Sequence, residues 1–545
     1  MITWFKKMWN GETDGLTAAA FIVGASSLAS RLLGLLRDRV LAGTFGAGAS
    51  LDAYYAAFRL PDTVYNLIIL GAISAGFIPV FTEYLETKGK GEAAKLAGQV
   101  LTTVGACLAV ASILVAVFAH VLIPLIVPGF DPATLAKTIE LTRIMSVSPL
   151  LLGLSAVIGG VMQSMKRYIG FAMAPVFYNL GIIAGTIVLA PSMGITGAAI
   201  GVVAGALMHF LVQASTLPSF PLGKLPWPSF SSAGVRRILA LMGPRTAALG
   251  ISQINLVFLL ALATTIEPGA VSVFNLANNL QMFPVGLVGI SFAIAAFPAL
   301  AKAHATEDDD GYRKALSAAA RKIVFLVIPA MAIFILLRAQ IVRLALGDGQ
   351  FNWNDTVRTA DALAWFAVSL VAQSLVPLLA RAFYALQDTW TPFWISVIAE
   401  AVTIGLAFGL RESFGVMGLA MAFSAAAIVQ CLLLALFLRR MFGQLGKGES
   451  FISAYKTAIA TVALCCAAFP VRQWLGTIYN LETTWQVALQ TGGTLLAGGL
   501  AFFFTAWLVG SPELAEFRMA AEKRLFKKAK LVEGTEEASG MAKSR

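Results

Sequence analysis

Charged side chains are concentrated in one apolar stretch near the start of the chain, between Ser26 and Glu83. The stretch is long enough to cross a bilayer twice. Its arginines outnumber its acids, four to three, and the residues are Arg31, Arg37, Asp38, Arg39, Asp52, Arg59 and Asp62. Charge at membrane depth is costly, so such side chains usually face a protein interior or a water-filled cavity. Because guanidinium groups present a planar fork of donors, such a cavity suits an anion such as a phosphate.

A position at the membrane–water interface is the alternative for the three consecutive charged residues of this group. Arg37, Asp38 and Arg39 are consecutive, and long side chains near the end of a spanning helix can extend their head groups into the interfacial water. Arg31 and Arg59 lie well inside apolar runs, so the interfacial reading fits them less well. We therefore treat Arg31, Arg37 and Arg59 as the candidate anion-binding residues.

The composition is that of an integral membrane protein. The chain has 545 residues, of which 58% are hydrophobic and 13% charged, with a mean hydropathy of +0.79. Soluble proteins carry about 25% charged residues. Apolar runs long enough to span a bilayer number about fourteen, and they do not alternate as barrel strands do. They lie near 16–36, 52–83, 96–119, 138–162, 170–190, 195–216, 236–262, 270–300, 319–338, 358–386, 391–410, 415–438, 452–470 and 486–510.

The basic residues predict the orientation in the membrane. Lysines and arginines concentrate in alternate loops, which under the positive-inside rule places both termini on the cytoplasmic side of a multi-pass plasma-membrane protein. No cleavable signal peptide is expected, because the first apolar run is long and lacks a clear cleavage site. The net charge of +11 includes a basic tail that we expect to meet anionic membrane lipid. Nucleic acid is not an expected partner.

An internal repeat indicates two lobes. Residues 163–181 and 194–213 are echoed by 385–403 and 415–434, each copy having a polar loop, a helix and a glycine-marked second helix. Repeats of this size are typical of secondary transporters that hold substrate between two lobes. The predicted domains are an N-lobe (1–216), a cytoplasmic linker (217–235), a C-lobe (236–440), an extra helix pair (441–511) and the cytoplasmic basic tail (512–545).

Several motifs resemble those of a known family. SRLLGLLRDRVLAGTFGAG (30–48), LDAYYAAFRLPD (51–62) and GAISAGFIPVF (71–81) are similar to the opening of the MurJ (MviN) lipid II flippases, of the multidrug/oligosaccharidyl-lipid/polysaccharide (MOP) exporter superfamily. The similarity continues in order at 127–132, 241–255, 278–303 and 378–392, and so covers nearly the whole chain. It implies an all-α fold of two six-helix lobes plus two extra C-terminal helices, which in that family form a groove for a lipid tail.

The resemblance also implies a function and a set of site residues. The cargo would be an undecaprenyl-diphosphate-linked peptidoglycan precursor, carried by alternating access from the inner to the outer leaflet during cell-wall biogenesis. The basic residues matching Arg31, Arg37 and Arg59 line the first-lobe cavity in the family. Asp38 and Asp52 match acids that orient or pair with those arginines, and a purely structural ion pair is an equal alternative for Asp38.

Both lobes depart from the family pattern. Tyr65 stands where members often carry a further arginine, and Asn278 and Asn279 stand where an Asp-Arg pair is common. Asn279 is therefore the position at which a phosphate-binding cation is missing. Arg245 or Arg381 could replace that cation, although both lie nearer the predicted cytoplasmic ends of their helices.

No motif predicts catalysis, so a transporter is expected. A Gly-rich phosphate loop, a nucleophile elbow and an HExxH motif are absent from the sequence, and the His and Cys residues are too scattered for a metal site. The sequence leaves ion gradient, membrane potential and passive exchange open as energy sources, and no cofactor is expected. Alternatives are a flippase for another lipid-linked oligosaccharide, a drug antiporter, or a non-transporting scaffold or regulator. The precursor lipid, membrane lipids and the cell-wall synthesis machinery are candidate partners.

Overall fold

Every regular element in the described part of the chain is a helix. The computed structural model describes residues 16–70, 76–217, 220, 225–443, 448–479, 483–519 and 522. The side chains of 16–23, 70, 243–245, 247 and 248 also lie outside the described set. The predicted cytoplasmic N-terminus, part of the 217–235 linker and most of the basic tail therefore fall outside the described residues. The all-α prediction is confirmed for the ranges above.

The helices of the first half follow one another with short connections. They are α1 (Leu16–Phe45), α2 (Ala49–Tyr65), α3 (Ile78–Thr87), α4 (Gly89–Ile126), α5 (Pro132–Met145), α6 (Ser148–Ser164), α7 (Ile169–Met193) and α8 (Ile195–Ala214).

The second half contains longer helices and the extra C-terminal pair. They are α9 (Ala233–Thr264), α10 (Ala270–Pro284), α11 (Ser291–Ala305), α12 (Asp309–Leu336), α13 (Arg338–Leu346), α14 (Trp353–Val368), α15 (Leu370–Ala385), α16 (Trp390–Phe442), α17 (Glu449–Ile478) and α18 (Thr484–Leu508).

Two helices that carry site residues are distorted in the same way. A π-helical turn, Asn66–Leu70, follows α2, which contains Pro61. A second π-helical turn, Val285–Ile290, follows α10, which ends at Pro284. A proline removes one backbone hydrogen bond and a π-turn shifts the helical register. A proline thus precedes the π-turn in both helices, and the π-turns mark where the regular winding changes.

The described residues form two compact units. The first lies within Met1–Leu280, Val342–Trp365 and Val397–Ala426, and the second within Gln281–Ile341, Phe366–Ser396 and Ala427–Arg545. Phe77, Phe81 and Leu108 belong to a buried cluster of the first unit. In the second unit, the extra helices pack on α12 through Phe325, Leu464 and Phe502. The predicted lobe boundaries stay a prediction.

Small residues allow α7 and α8 to pack at backbone contact. A side chain at Gly181 would collide with Gly205, and one at Gly185 would collide with Gly201. In a bilayer, close packing of this kind replaces the hydrophobic drive between helices. The pairing makes α7 a rigid support for the polar side chain that it carries towards α1.

The two copies of the repeat share one unusual loop conformation. Lys166 and Gln387 both have positive φ, 58° and 61°. The following backbone N–H of Arg167 donates to Met162 O at 2.8 Å, and that of Asp388 donates to Phe383 O at 3.0 Å. The same turn follows α11, where Glu307 has a φ of 53° and the Asp308 N–H donates to Ala303 O at 2.8 Å, so this helix ending is not specific to the repeat.

The structure is that of a multi-pass membrane protein. Nine described helical segments are long and apolar enough to cross a bilayer, or ten if the bent pair α14–α15, which meets at 47°, counts as one span. The number is lower than the predicted fourteen partly because the 53 residues of α16 are counted once, although a kink divides them into two helices. The kink lies at Gly415, whose φ of 57° and ψ of −133° are not helical.

Candidate functional site

Arg37 and Asp38 form the centre of a polar network on α1. The Arg37 Nε and Nη2 groups both donate to Asp38 Oδ1, at 3.0 and 2.7 Å. Asp38 is 4% exposed, whereas 24% of the Arg37 side chain remains accessible. A carboxylate paired with a guanidinium in this way fixes the plane of the guanidinium group. The predicted pairing of Asp38 with an arginine is present in the structure.

Asn279 on α10 joins the same network. Its Nδ2 group donates to Asp38 Oδ2 at 2.9 Å, so the two oxygens of one buried carboxylate serve two helices. Asn279 thus satisfies the acid beside Arg37 rather than supplying a cation of its own. Among the predicted site residues, the structure brings together Arg37, Asp38 and Asn279.

Asn179 on α7 also contacts Arg37, and the sequence analysis missed it. The Arg37 Nη1 group donates to Asn179 Oδ1 at 3.2 Å. The only available signal was an amide side chain in the otherwise apolar helix Ile169–Met193. That signal is weak, because the two partners are 142 residues apart in the chain.

The other two arginines are placed differently. Arg31 is an exposed residue of α1. Arg59 on α2 is half-buried, and its Nε atom is fully buried with no hydrogen-bond partner among the described residues. Nearby Asp62 accepts a hydrogen bond from Asn66 at 3.0 Å. Arg59 therefore has an unsatisfied donor, while Arg31 has ready access to solvent or ligand.

Asp52 caps the start of α10. Its Oδ2 atom accepts from the Gly269 N–H at 2.6 Å, and its Oδ1 atom accepts from the Ser272 N–H at 2.7 Å and the Ser272 hydroxyl at 2.6 Å. Asp52 is 1% exposed. The first N–H groups of a helix lack partners within the helix, and a carboxylate placed there satisfies them. The structure thus gives Asp52 a helix-capping contact, and its place in a substrate site stays a prediction.

Further contacts within the first unit join the α1–α2 connection to residues 344–355. Arg39 Nη1 donates to Leu344 O at 2.6 Å, and the Gln350 N–H donates to Gly43 O at 2.7 Å. The buried Asp355 accepts from the Ala47 N–H at 3.3 Å. Together with the Asp52 cap, these bonds connect α1, α2, the start of α10 and residues 344–355 within the first unit.

A cavity of about 190 Å³ lies beside Asp52 and is acidic rather than basic. Its lining includes Asp52, Asp131 and Glu267. Asp131, in the loop before α5, accepts the Thr134 hydroxyl at 2.5 Å. This hydrogen bond, with those from the backbone N–H groups of Thr134 and Ala133, holds the pKa of Asp131 below its usual range. An anion would be repelled here, so this cavity is not the predicted phosphate site.

The structure describes the side chain of one of the two replacement cations, Arg381. Arg245 lies in the backbone range of α9, and its side chain is outside the described residues. Arg381 donates to Pro377 O of its own helix at 3.3 Å. Among the described residues, no group of three or more His, Cys, Asp or Glu could hold a metal ion.

The fold and the network around Arg37 define a class of protein: a helical membrane transporter with a partly buried polar network around the Arg37–Asp38 ion pair. The model of the family described as "Lipid II flippase MurJ" matches residues 41–491. The chain therefore belongs to the MurJ lipid II flippase family, which confirms the resemblance seen in the motifs.

Individual relatives agree with this assignment. The "Lipid II flippase MurJ" of Burkholderia cenocepacia is 30% identical over 521 residues, 93% of this chain and 100% of that protein. A solved "Lipid II flippase MurJ, inward closed conformation" is 24% identical, with a TM-score of 0.75 over 90% of this chain and 98% of that one. The "inward-facing conformation of a multidrug resistance MATE family transporter of the MOP superfamily" gives a TM-score of 0.65 at 16% identity, over 78% and 98%. These two structures establish the fold.

Proposed function

We propose that this protein carries lipid II, the lipid-linked peptidoglycan precursor, from the inner to the outer leaflet by alternating access. Membership of the MurJ family makes it a transporter. The observation that supports the proposed cargo is the Arg37 side chain, which is 24% accessible and whose guanidinium group Asp38 and Asn179 hold in place. A diphosphate is the anionic group that such a fork binds best.

Arg31 and Arg59 complete the proposed phosphate-binding set. Arg31 is exposed and Arg59 has a buried donor without a described partner, so each can accept an anionic ligand without breaking an existing ion pair. In a low-dielectric surrounding, charge-assisted hydrogen bonds to a phosphate are roughly twice as strong as neutral ones. We include Asp38 and Asn279 as residues that orient Arg37, and Asp52 and Arg245 as more distant members of the site.

We further propose fourteen spans. The 53 residues of α16 would extend about 80 Å at 1.5 Å per residue, far more than the roughly 30 Å of bilayer hydrocarbon. The break at Gly415 therefore separates two spans. Helices α1 and α9 and the broken helix that contains α2 supply three more, and α14–α15 supplies one.

In the proposed orientation both termini and the 217–235 linker are cytoplasmic. The loops that follow α1 and α9 and the loop before α14 then lie on the outer side. The bonds made by Asp52, Arg39 and Asp355 in the first unit thus close the outer end, and cargo would enter from the cytoplasmic side. Membrane lipids and the cell-wall synthesis machinery are the further partners that this function suggests.

Complementation tests the proposed function. A bacterium depleted of its own lipid II flippase should grow when it expresses this protein and should lyse when it expresses the Arg37→Ala variant. Arg143→Ala is the matched control, because Arg143 is an exposed arginine of α5 outside the network. Lysis with the wild type at normal membrane levels would reject lipid II as cargo.

The departure from the family pattern at position 279 is the reason to test a second cargo. Asn279 stands where the family pattern has a cation, and it is bonded to Asp38. Fewer cations would suit a lipid-linked oligosaccharide that carries less phosphate charge. Competition between lipid II and a monophosphate-linked glycolipid for the purified protein distinguishes the two, and preference for the monophosphate would favour the second.

A further inference from the structure

We propose that Asn179 is a positioning residue that orients the Arg37 guanidinium towards the diphosphate of the transported lipid. The inference rests on the proposed function, because it assigns Asn179 a role at the same phosphate-binding site. Asn179 is 6% exposed and lies on α7, whereas Arg37 and Asp38 lie on α1. It would act through Arg37 and need not touch the cargo itself.

The orientation of the Asn179 amide is determined by its own contacts. Its Nδ2 group donates to Pro175 O at 2.9 Å and lies 3.5 Å from both Ser30 O and Ser30 Oγ. All three of these oxygen atoms around Nδ2 can accept a hydrogen bond. The Oδ1 atom therefore faces Arg37, since a flipped amide would set two donors against each other and leave the Pro175 carbonyl facing an oxygen.

The hydrogen bond from Arg37 to Asn179 determines which N–H groups of Arg37 stay available to a ligand. A guanidinium has five N–H donors in a rigid plane. Asp38 takes one from Nε and one from Nη2, and Asn179 takes one from Nη1. Within the described part of the chain, one N–H on each of Nη1 and Nη2 is left. Two N–H groups on neighbouring nitrogens are the pair that can bind two oxygens of one phosphate or bridge a diphosphate.

The support for Asn179 is rigid. Gly181 lies two residues further along α7 and packs against Gly205 of α8 at backbone contact. On the facing side, a Cβ at Gly34 of α1 would lie 3.9 Å from Asn179 Oδ1, an ordinary van der Waals distance, so the amide packs directly against α1 there. Asp38 and Asn179 thus hold the guanidinium from two helices, which reduces the freedom that the ligand must otherwise remove.

The test compares a lipid that carries a diphosphate with one that carries a single phosphate and no sugar or peptide. Dissociation constants are measured for the full-length protein in nanodiscs with lipid II and with undecaprenyl monophosphate. Asn179→Ala and the larger Asn179→Leu both remove the acceptor. Each should weaken lipid II binding about tenfold, the effect of one hydrogen bond to a charged group, and weaken monophosphate binding clearly less. Thr186→Val is the matched control, because buried Thr186 on the same helix bonds, among the described residues, only to Ile182 O, and its loss should leave both constants unchanged.

The same substitution of Asn179 in the Arg37→Lys variant distinguishes a positioning role of Asn179 from a packing role. In Arg37→Lys protein, which has no fork to orient, Asn179→Ala should leave lipid II affinity within about twofold of its parent. Equal losses for both lipids, or the same loss in the Arg37→Lys background, would overturn the inference and make Asn179 a packing residue. A loss with Ala but not with Leu would overturn it too, since a cavity would then explain the effect.

The outcome also distinguishes this inference from the proposed function. If Arg37→Ala binds lipid II as tightly as the wild type, the phosphate site is wrong, and the role of Asn179 falls with it. If Arg37→Ala weakens binding while Asn179→Ala and Asn179→Leu do not, the proposed function stands and only the role of Asn179 is rejected.

Discussion

A single carboxylate organises the candidate site at the level of residues. Asp38 accepts from Arg37 with one oxygen and from Asn279 with the other, so three predicted residues form one bonded group. The pairing of Arg37 with Asp38 was predictable, since adjacent charges in an apolar run need partners. The contact with Asn179 was not, because nothing in a single sequence relates residues that meet only through helix packing.

The first prediction concerns the shape of the Arg37 head group. Arg37→Ala should abolish transport at near-normal membrane levels, because this side chain is 24% exposed and serves ligand binding more than folding. Arg37→Lys should restore only part of the activity, since an ammonium group cannot form the bidentate contact. The rate of lipid II translocation and the amount of folded protein are measured together. Equal loss of folded protein in both variants would mark Arg37 as structural.

The second prediction concerns position 279, where the family pattern has a cation and this chain has asparagine. Asn279→Arg should strengthen binding of a diphosphate lipid by roughly tenfold to hundredfold, because a guanidinium can bond Asp38 and still offer donors to a phosphate. Asn275→Arg adds the same charge one turn earlier, where Asn275 bonds only to Val271 O, and should have a much smaller effect. Similar gains in both variants would show long-range attraction rather than a local contact.

The result for Asn279→Arg is interpreted together with the result for Arg245→Ala. If Arg245 already supplies the second-lobe cation, Asn279→Arg should change little and Arg245→Ala should weaken binding about as much as Arg31→Ala. If neither Asn279→Arg nor Arg245→Ala changes the affinity for the diphosphate lipid, the second lobe does not contact the phosphates. The prediction that Asn279 and Arg245 belong to the site would then be wrong.

At the level of elements, the Asp52 cap on α10 predicts a loss of thermal stability that can be measured separately from lipid II affinity. Asp52→Ala leaves the Gly269 and Ser272 N–H groups without their acceptor, and an unsatisfied buried donor costs about 1–3 kcal/mol. The thermal midpoint in detergent should fall clearly, with lipid II affinity reduced less. Asp62→Ala is the control, since Asp62 bonds to Asn66 within the same stretch of helix. A large affinity loss at an unchanged midpoint would instead place Asp52 in the substrate site.

A second element-level prediction tests the break in α16. Gly415 has a φ of 57°, a region in which a side chain costs roughly 1–2 kcal/mol. Gly415→Ala should therefore lower the thermal midpoint. Gly405→Ala should not, because Gly405 lies in the same helix with open space around it. A stabilised Gly415→Ala protein would mean that the two proposed spans form one straight helix.

The sequence predicted the elements better than their irregularities. Apolar runs identified the helices, because each span must satisfy its own backbone hydrogen bonds in lipid. The π-turns at Asn66–Leu70 and Val285–Ile290 and the short helix Arg338–Leu346 were not predicted. These depend on how neighbouring helices take up the backbone groups that a bend releases, which local composition does not encode.

For the whole molecule, the repeat and the family motifs carried the fold prediction, and the uneven distribution of basic residues carries the topology. Single cysteines test that topology in a variant lacking Cys107, Cys431, Cys465 and Cys466. An impermeant thiol reagent added to intact cells should label Ser192→Cys, at the exposed C-terminal end of α7, but not Ser231→Cys, in the exposed part of the linker. Labelling of Ser231→Cys from outside would reverse the proposed orientation.

The central claim is that this chain moves lipid II across a bilayer by means of its arginine site. The direct measurement uses proteoliposomes with fluorescent lipid II and an impermeant quencher added outside. Wild-type protein should bring the inner-leaflet lipid II into reach of the quencher, and Arg143→Ala should do the same. Arg37→Ala vesicles should keep close to half of the fluorescence protected, as protein-free vesicles do. Protection that persists with the wild type, or translocation that is unchanged by Arg37→Ala, would contradict the account.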